Sequence, residues 1–498
     1  MEHMDRRTFL KWSATAAGAA VVPFWIEKVL ANPTEAAKWR QFSGETVKVL
    51  TENTPPSLGI KAAAGQFTEL TGMKAEFTLD AMDALKEKMF LDLRGGNPEY
   101  NVNYAQPRPI GCVVCDYWEP VNKFINIKTG KSKMADLPDV PGINTSDPDG
   151  LRKAYLPKHF DSGCVYYDRS KLYGLPYDTA QGIMFFRKDI FAKYGPKYQD
   201  KTGKPFKLGV NATWDDFYNM CVFLKENCKE IDAPLGLHYA QNWPIASEWA
   251  SFLTGFGVEK EGFSEIKDYF AGQRDPGPVF SRKADYEKGL QVLEYLKKLL
   301  NIMHPDVMTW GWTGLGTAYA TGKLAVMRNC GEFCPYIEDP KASVAAGKTG
   351  YEVVPKGPSG INAYEIGAAG LSIPKALPLK EQKKAWLFIM WATGPKAQWE
   401  AFTKFYGTPV RTANLEEARA KGWLKPDSEF RKAQHLMVQE TELVDHLPGF
   451  NAGPKIPTYS EYLDIVGGEL SKWVGGRTPT AKKCLDTMIA RLNKLHGH

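Results

Sequence analysis

The sequence predicts an α/β protein whose sheets are mostly parallel and covered by helices on both faces. Two observations carry that expectation. From Thr46 onward, short strand-like stretches alternate with amphipathic helical ones. The chain is also long, at 498 residues with 43% hydrophobic and 24% charged side chains, which suits two or three soluble domains. Thr46–Thr51 reads as the first strand, and Gly59–Leu70 as a helix stopped by Thr71-Gly72. Met73–Leu79 alternates like a second strand, Ala81–Leu93 is an amphipathic helix closed by Gly95-Gly96, and Tyr100–Tyr104 makes a third strand. Residues 105–173 are irregular and rich in Pro, Asp and Lys, with helices expected at Glu119–Ile125 and Asp149–Tyr155. Gly174-Leu175-Pro176-Tyr177-Asp178 interrupts that region before the strand Ile183–Phe186. Helices follow at Trp214–Lys225 and Tyr286–Leu300, and a helix end at Thr317–Gly322 leads into the strand Leu324–Arg328. Glu365–Pro374 is strand-like, Glu381–Thr393 is helical, and the last hundred or so residues are mainly helical.

Composition removes several classes of function. No uncharged apolar run reaches the roughly 18 residues of a membrane span, so a multi-span membrane protein is not expected. The net charge of +6 is spread along the chain and builds no concentrated basic face, so no nucleic-acid partner is expected. Enzyme signatures fail on inspection. Gly347-Lys348-Thr349 imitates the end of a phosphate-binding loop, but Ala342 stands where its first glycine belongs. Gly314-Leu315-Gly316 lacks the third glycine of a dinucleotide fingerprint, and the eight histidines are scattered. No catalytic residue, metal ligand or cofactor is assigned.

The first 31 residues read as an address. Asp5-Arg6-Arg7-Thr8-Phe9-Leu10-Lys11 places an arginine pair before a mildly hydrophobic, uncharged stretch from Trp12 to Ile26, and Val29-Leu30-Ala31 supplies small residues for cleavage. This resembles a twin-arginine export signal, which implies a periplasmic mature protein. In such an oxidising compartment the eight cysteines are expected to be structural, buried or bridged by disulfides. Cys112-Val113-Val114-Cys115 has redox or zinc spacing, but no second pair sits at a matching interval.

From about Thr46 to Leu495 the chain resembles the extracellular solute-binding proteins of carbohydrate ABC transporters, the maltose-binding-protein-like class. The likeness rests on Phe67-Thr68-Glu69-Leu70-Thr71-Gly72, on Lys171–Thr179 followed by Phe185–Gly195, and on Thr213–Phe217. It continues through Gly322–Met327, Gly370-Leu371-Ser372-Ile373-Pro374 and Gly407–Arg411 in the same order. The resemblance implies a two-lobed periplasmic-binding-protein fold whose chain crosses the hinge more than once. Lobe one would comprise about residues 44–172 and 360–405, and lobe two about 173–359 and 406–498. It further implies a monomeric receptor that captures a sugar or polyol between the lobes and delivers it to ABC permease subunits. An exported cofactor-containing oxidoreductase and an exported glycoside hydrolase are the competing readings.

Sugar capture needs aromatic rings for C–H faces and polar groups for the hydroxyl rim, since each unpaired buried polar group costs about 1–3 kcal/mol. By family position, Asn53 and Gln106 follow strands of lobe one as hydrogen-bonding groups, with Asp80 between a strand and a helix. Tyr177 and Asp178 come from a crossing segment, Trp243 and Trp312 would stack on the ligand, and Asn329 and Arg411 would bind hydroxyls. Each has a structural alternative: Asp80 as a helix cap, Arg411 as an ion-pair partner, the two tryptophans as packing. Where many relatives carry stacking rings this chain has Ala369 and Asn329-Cys330, which suits a smaller or more linear polyhydroxylated ligand.

Overall fold

The computed structural model describes residues 23–363, 365–405, 407–425, 427–438, 450–451 and 453–498. The arginine pair and the uncharged stretch that follows it, up to residue 22, lie outside the described residues. In chain order the strands are β1 (Thr46–Glu52), β2 (Lys74–Asp80), β3 (Val102–Ala105), β4 (Leu175–Asp178), β5 (Gly182–Arg187), β6 (Ala233–Gly236), β7 (Leu324–Cys330), β8 (Thr349–Glu352), β9 (Glu365–Ile366), β10 (Ala369–Ser372) and β11 (Phe450–Asn451). One sheet has the order β2-β1-β3-β10-β4 and a second the order β6-β7-β5-β8, with β11 and β9 forming a short ribbon. Each large sheet has its own apolar core. Val47, Val49, Phe67, Trp386 and Trp391 are buried in the first, and Phe185, Trp249, Tyr319 and Val326 in the second. Two separate cores make two lobes.

The sheets are mixed where mostly parallel ones were expected. β1 runs parallel to β2 and β3, and β6 parallel to β7. β10 is antiparallel to β3 and to β4, and β5 is antiparallel to β7 and β8. The chain path explains this. β1, β3 and β7 arrive from helices on the far side and end at the gap between the sheets. β5 and β10 enter their sheets from that gap, having just crossed from the other lobe, so they must run the opposite way. Besides a later return to the second lobe beyond Val410, the crossings are Thr179–Gln181, between β4 and β5, and Gly367-Ala368, between β9 and β10. They are tied together by an antiparallel bridge between Gln181 and Ile366. Gln181 Nε2 also lies 2.9 Å from His159 Nε2, and burial pushes that imidazole down to about 3, so it is neutral here.

β4 forms despite Pro176 because it is an edge strand, paired only with β10, where a missing N–H can be tolerated. Gly174 opens the approach to it: a Cβ at that position would stand 2.1 Å from the Leu371 carbonyl oxygen of β10. That explains the glycine inside Lys171–Thr179. The helix after β1 runs Pro55–Thr71 and stops at Gly72, and the helices at Trp214–Asn227, Lys283–Leu299 and Leu379–Ala392 fall where periodicity puts them.

The expected disulfides do not form. All eight cysteines are free and buried. Several thiols spend their weak donor on a nearby oxygen. Cys228 Sγ donates to Glu230 Oε2 at 3.3 Å, Cys334 Sγ to the Arg431 and Lys432 carbonyls at 3.5 Å, and Cys484 Sγ to the Glu469 carbonyl at 3.5 Å. Cys330 ends β7 whereas Cys334 opens the helix Cys334–Ile337, so the two do not share a helical face. Burial raises the Cys112 thiol to about 11, which disfavours the thiolate needed for exchange. A thiol-reagent titration without reductant should therefore count eight thiols in denaturant and almost none in the native protein; a denatured count two short would mean that a bridge exists.

Candidate functional site

A cavity of about 390 Å³ opens between the two sheets, within the size range of small-molecule sites. From the first lobe it receives Glu52 and Thr54 at the end of β1, and Met82, Asp83 and Lys86 from the first turns of the helix Met82–Arg94. Tyr104 of β3, Gln106 and Pro109 beyond it, and Asp178 at the end of β4 complete that side. The second lobe contributes Trp243 and Trp312, each the first residue of a helix, with Gln241, Asn242, Cys330 and Glu332. Glu365, Gly367 and Ala368 come from the crossing segment, and Ser460, Leu463 and Asp464 from the helix Tyr459–Val474. This is the place where an open α/β sheet leaves a crevice, beyond the carboxyl ends of its strands.

The polar centre is a chain of acids joined by one phenol. The Tyr104 hydroxyl donates to Asp178 Oδ2 at 2.8 Å, and the Ala180 N–H donates to Asp178 Oδ1 at 3.2 Å. Glu332, on the opposite lobe, lies within hydrogen-bond reach of Asp178, and its Oε1 is buried without a partner. Burial, and then repulsion from Asp178, pushes the Glu332 carboxyl well above the usual range. Burial and Asp178 likewise push Glu52 up to about 8, against the lowering effect of the Tyr104 hydroxyl. Glu365 accepts a 2.7 Å hydrogen bond from the Ser247 hydroxyl.

The aromatic wall is held from behind. Arg328 Nη2 sits 2.7 Å from Glu248 Oε2, and both side chains are essentially inaccessible, at 1% and 0%. Burial raises the Glu248 pKa, but the Arg328 charge and the His238 hydrogen bonds outweigh it and hold the carboxyl low. The His238 N–H donates to Glu248 Oε1 at 3.0 Å, and its Nε2 lies 3.2 Å from Asn329 Oδ1. Asn329 Nδ2 then donates to the Trp312 carbonyl at 3.1 Å. The Trp312 ring stands edge-on to Phe333 at 4.5 Å, and its Nε1 is left unpaired. Asn242 has φ 70° and ψ −130°, a strained backbone for a residue other than glycine. Gly467 leaves room for it, since a Cβ there would stand 2.6 Å from Asn242 Cα.

Of the residues singled out from the sequence, Gln106, Asp178, Trp243 and Trp312 meet at this cavity. Gln106 Oε1 also accepts the Arg108 N–H at 2.9 Å. Asn53 sits between two lining residues, with its own Oδ1 buried and unpaired. Asn329 lies behind the wall, positioning Trp312. Three stand apart. Asp80 pairs with Lys88 at 2.5 Å, and the adjoining helix is capped at Ala81 without a side-chain bond. Tyr177 alternates to the opposite face from Asp178 and is buried beside Ser57 and Thr51. Arg411 donates to the Pro141 and Gly142 carbonyls at 2.8 and 3.1 Å and lies over the Tyr155 ring. Sequence reasoning missed Glu52, Glu332 and Glu365. The signal for Glu52 was its place at the end of β1, next to Asn53, whereas Glu332 lies two residues beyond the end of β7.

Comparison with known proteins fits this geometry. The profile described as "Bacterial extracellular solute-binding protein" matches residues 52–399. The chain belongs to that family. A twin-arginine translocation signal matches residues 3–23, so this solute-binding protein is exported by the twin-arginine route to the periplasm. It is 23% identical over 386 residues to an erythritol/L-threitol-binding protein of Mycolicibacterium smegmatis, covering 75% of this chain and 72% of that one. It is 22% identical over 422 residues to a probable amino-acid ABC transporter periplasmic-binding protein of Sinorhizobium fredii, covering 83% of each. Among solved structures, an Agrobacterium radiobacter ABC transporter solute-binding protein in complex with ribitol superposes with a TM-score of 0.68 at 18% identity, over 91% of this chain and 99% of that one. As a member of a solute-binding family the protein is a receptor rather than an enzyme.

The raised Glu52 carboxyl has a consequence for stability. A carboxyl held near 8 in the fold and near 4.5 when unfolded keeps its proton only in the native state between those values. The native state then binds more protons, so stability falls as pH rises through that window and levels off above it. Melting temperatures of the empty protein across the window should fall for the wild type relative to Glu52→Gln, which removes the charge; parallel curves would show that Glu52 titrates normally.

Proposed function

We propose that this solute-binding protein is the receptor for a polyhydroxylated solute, a sugar or polyol, which it hands unchanged to ABC permease subunits. The observation that carries the reading is the convergence of Trp243 and Trp312 from one lobe with Tyr104, Gln106 and Asp178 from the other. Aromatic faces suit the C–H surfaces of such a solute, and the acids and amides suit its hydroxyls. The erythritol/L-threitol-binding relative and the ribitol-bound structural neighbour support a small, linear guest. Ligand-binding roles belong to Gln106, Asp178, Trp243 and Trp312 in contact and to Asn53 and Asn329 in support. Thr179–Gln181 and Gly367-Ala368 serve as the hinge. In this reading the lobes divide at those two segments, after Asp178 instead of after residue 172 and at Gly367-Ala368 instead of at residue 360.

A thermal-shift screen over tetritols, pentitols, hexitols and sugars tests the reading. A true guest at about 100 times its dissociation constant should add roughly 2.7 kcal/mol of stability. Trp312→Ala should weaken that guest about 10- to 100-fold, roughly 1.4–2.8 kcal/mol, in a binding titration. Stabilisation by amino acids alone, with no response to any polyol or sugar, would overturn the assignment.

A further inference from the structure

The cavity is acidic beyond what hydroxyl recognition requires. Glu52, Asp83, Asp178, Glu332, Glu365 and Asp464 line it, and Lys86 is the one basic side chain among the described lining residues. Two buried arginines, Arg328 and Arg108, stand outside the lining, the second with its Nε and Nη1 unpaired. Arg328 pairs with Glu248 behind the wall, and Arg108 Nη2 donates to the Ile366 carbonyl at 3.1 Å. Neither lines the cavity. The acid cluster would be only a surface charge feature but for Glu332. That side chain is 4% exposed, faces the cavity, and has Oε1 buried with no hydrogen-bond partner. A buried carboxylate oxygen left bare, beside a second carboxylate, is an expensive arrangement. A neutral hydroxyl would pair the oxygen but would not offset the mutual repulsion of the acids once they ionise.

An ammonium answers both needs, with three donors and a positive charge. The tryptophan faces beside it would attract the same charge. We propose that the natural guest carries a protonated amine on its polyhydroxylated frame, with the amine seated between Glu332, Asp178 and Glu52. This rests on the polyol reading above and narrows it to amino-polyols and aminosugars. In the empty cavity, protons stand in for the missing cation, as the raised Glu52 and Glu332 carboxyls show. Amine binding replaces those protons with a charge fixed to the solute.

Calorimetric titration near neutral pH separates the two claims. The probes are 1-amino-1-deoxy-D-glucitol against D-glucitol and D-glucosamine against D-glucose, with the amino-deoxy form of any better polyol found by the screen added as a third pair. The amine should bind at least about tenfold tighter than its neutral partner in one pair or more, and Glu332→Gln should shrink that ratio by about tenfold. Replacing a buried, protonated acid by an amide of the same shape should leave the melting temperature of Glu332→Gln no lower than wild type, so a lost preference is not lost folding. Equal or tighter binding of the neutral partner in every pair overturns the amine and leaves the polyol receptor standing. A preference that survives Glu332→Gln overturns the seat assigned to it. Silence toward every probe, amine and neutral alike, overturns both readings.

Discussion

The hydrogen bond from Tyr104 to Asp178, with Glu332 facing Asp178 from across the gap, is the interaction on which the rest of this structure depends. Tyr104 and Asp178 belong to the first sheet and Glu332 to the loop after β7 of the second, so this short polar chain joins the lobes at the floor of the cavity. Buried acids so close together cannot all be charged at low cost. The site must hold protons, or a solute that supplies donors or positive charge. Either way, the state of the acids is coupled to occupancy, and occupancy to how the lobes face each other.

The scaffold around that chain is arranged to keep the two sides independent. Each sheet has a separate core, and the crossings at Thr179–Gln181 and Gly367-Ala368 are short. The bridge between Gln181 and Ile366 holds the two crossing strands together, with a neutral His159 behind it. On the second lobe, the helix Trp243–Gly255 does several jobs at once. Its first residue faces the cavity, Glu248 anchors Arg328, and Ser247 holds Glu365. Such a wall presents its rings in a fixed orientation, which saves the entropy of ordering them at each capture.

Much of the fold was legible in the sequence because its elements are local. The alternation in Thr46–Thr51 and the helical spacing before Thr71-Gly72 report directly on burial. Where the sequence reading went astray, the deciding contact was distant. Gly174–Asp178 read only as an interruption, because the pairing that makes Leu175–Asp178 a strand comes from the distant β10. Glu365–Pro374 read as a single strand because nothing local marks Gly367-Ala368 as the point where the chain changes lobes. The oxidising compartment suggested disulfides, but pairing depends on where the thiols lie in the folded lobes. The site followed the same rule. Trp243, Trp312, Gln106 and Asp178 stood out by residue type and family position. Glu332 and Asp464 are two among 57 acidic residues, and only the folded chain brings them to one cavity. Arg411 has the residue type of a ligand group, yet its charge is spent on carbonyls and the Tyr155 ring.

The most direct test is a diffraction structure of the exported protein grown with its tightest-binding solute, with that solute afterwards recovered and weighed by mass spectrometry. The account predicts density that touches Trp312 and Glu332 on one side and Tyr104 and Asp178 on the other, and a recovered mass identical to that supplied. A solute lying against one lobe alone, or one returned with an altered mass, would contradict it.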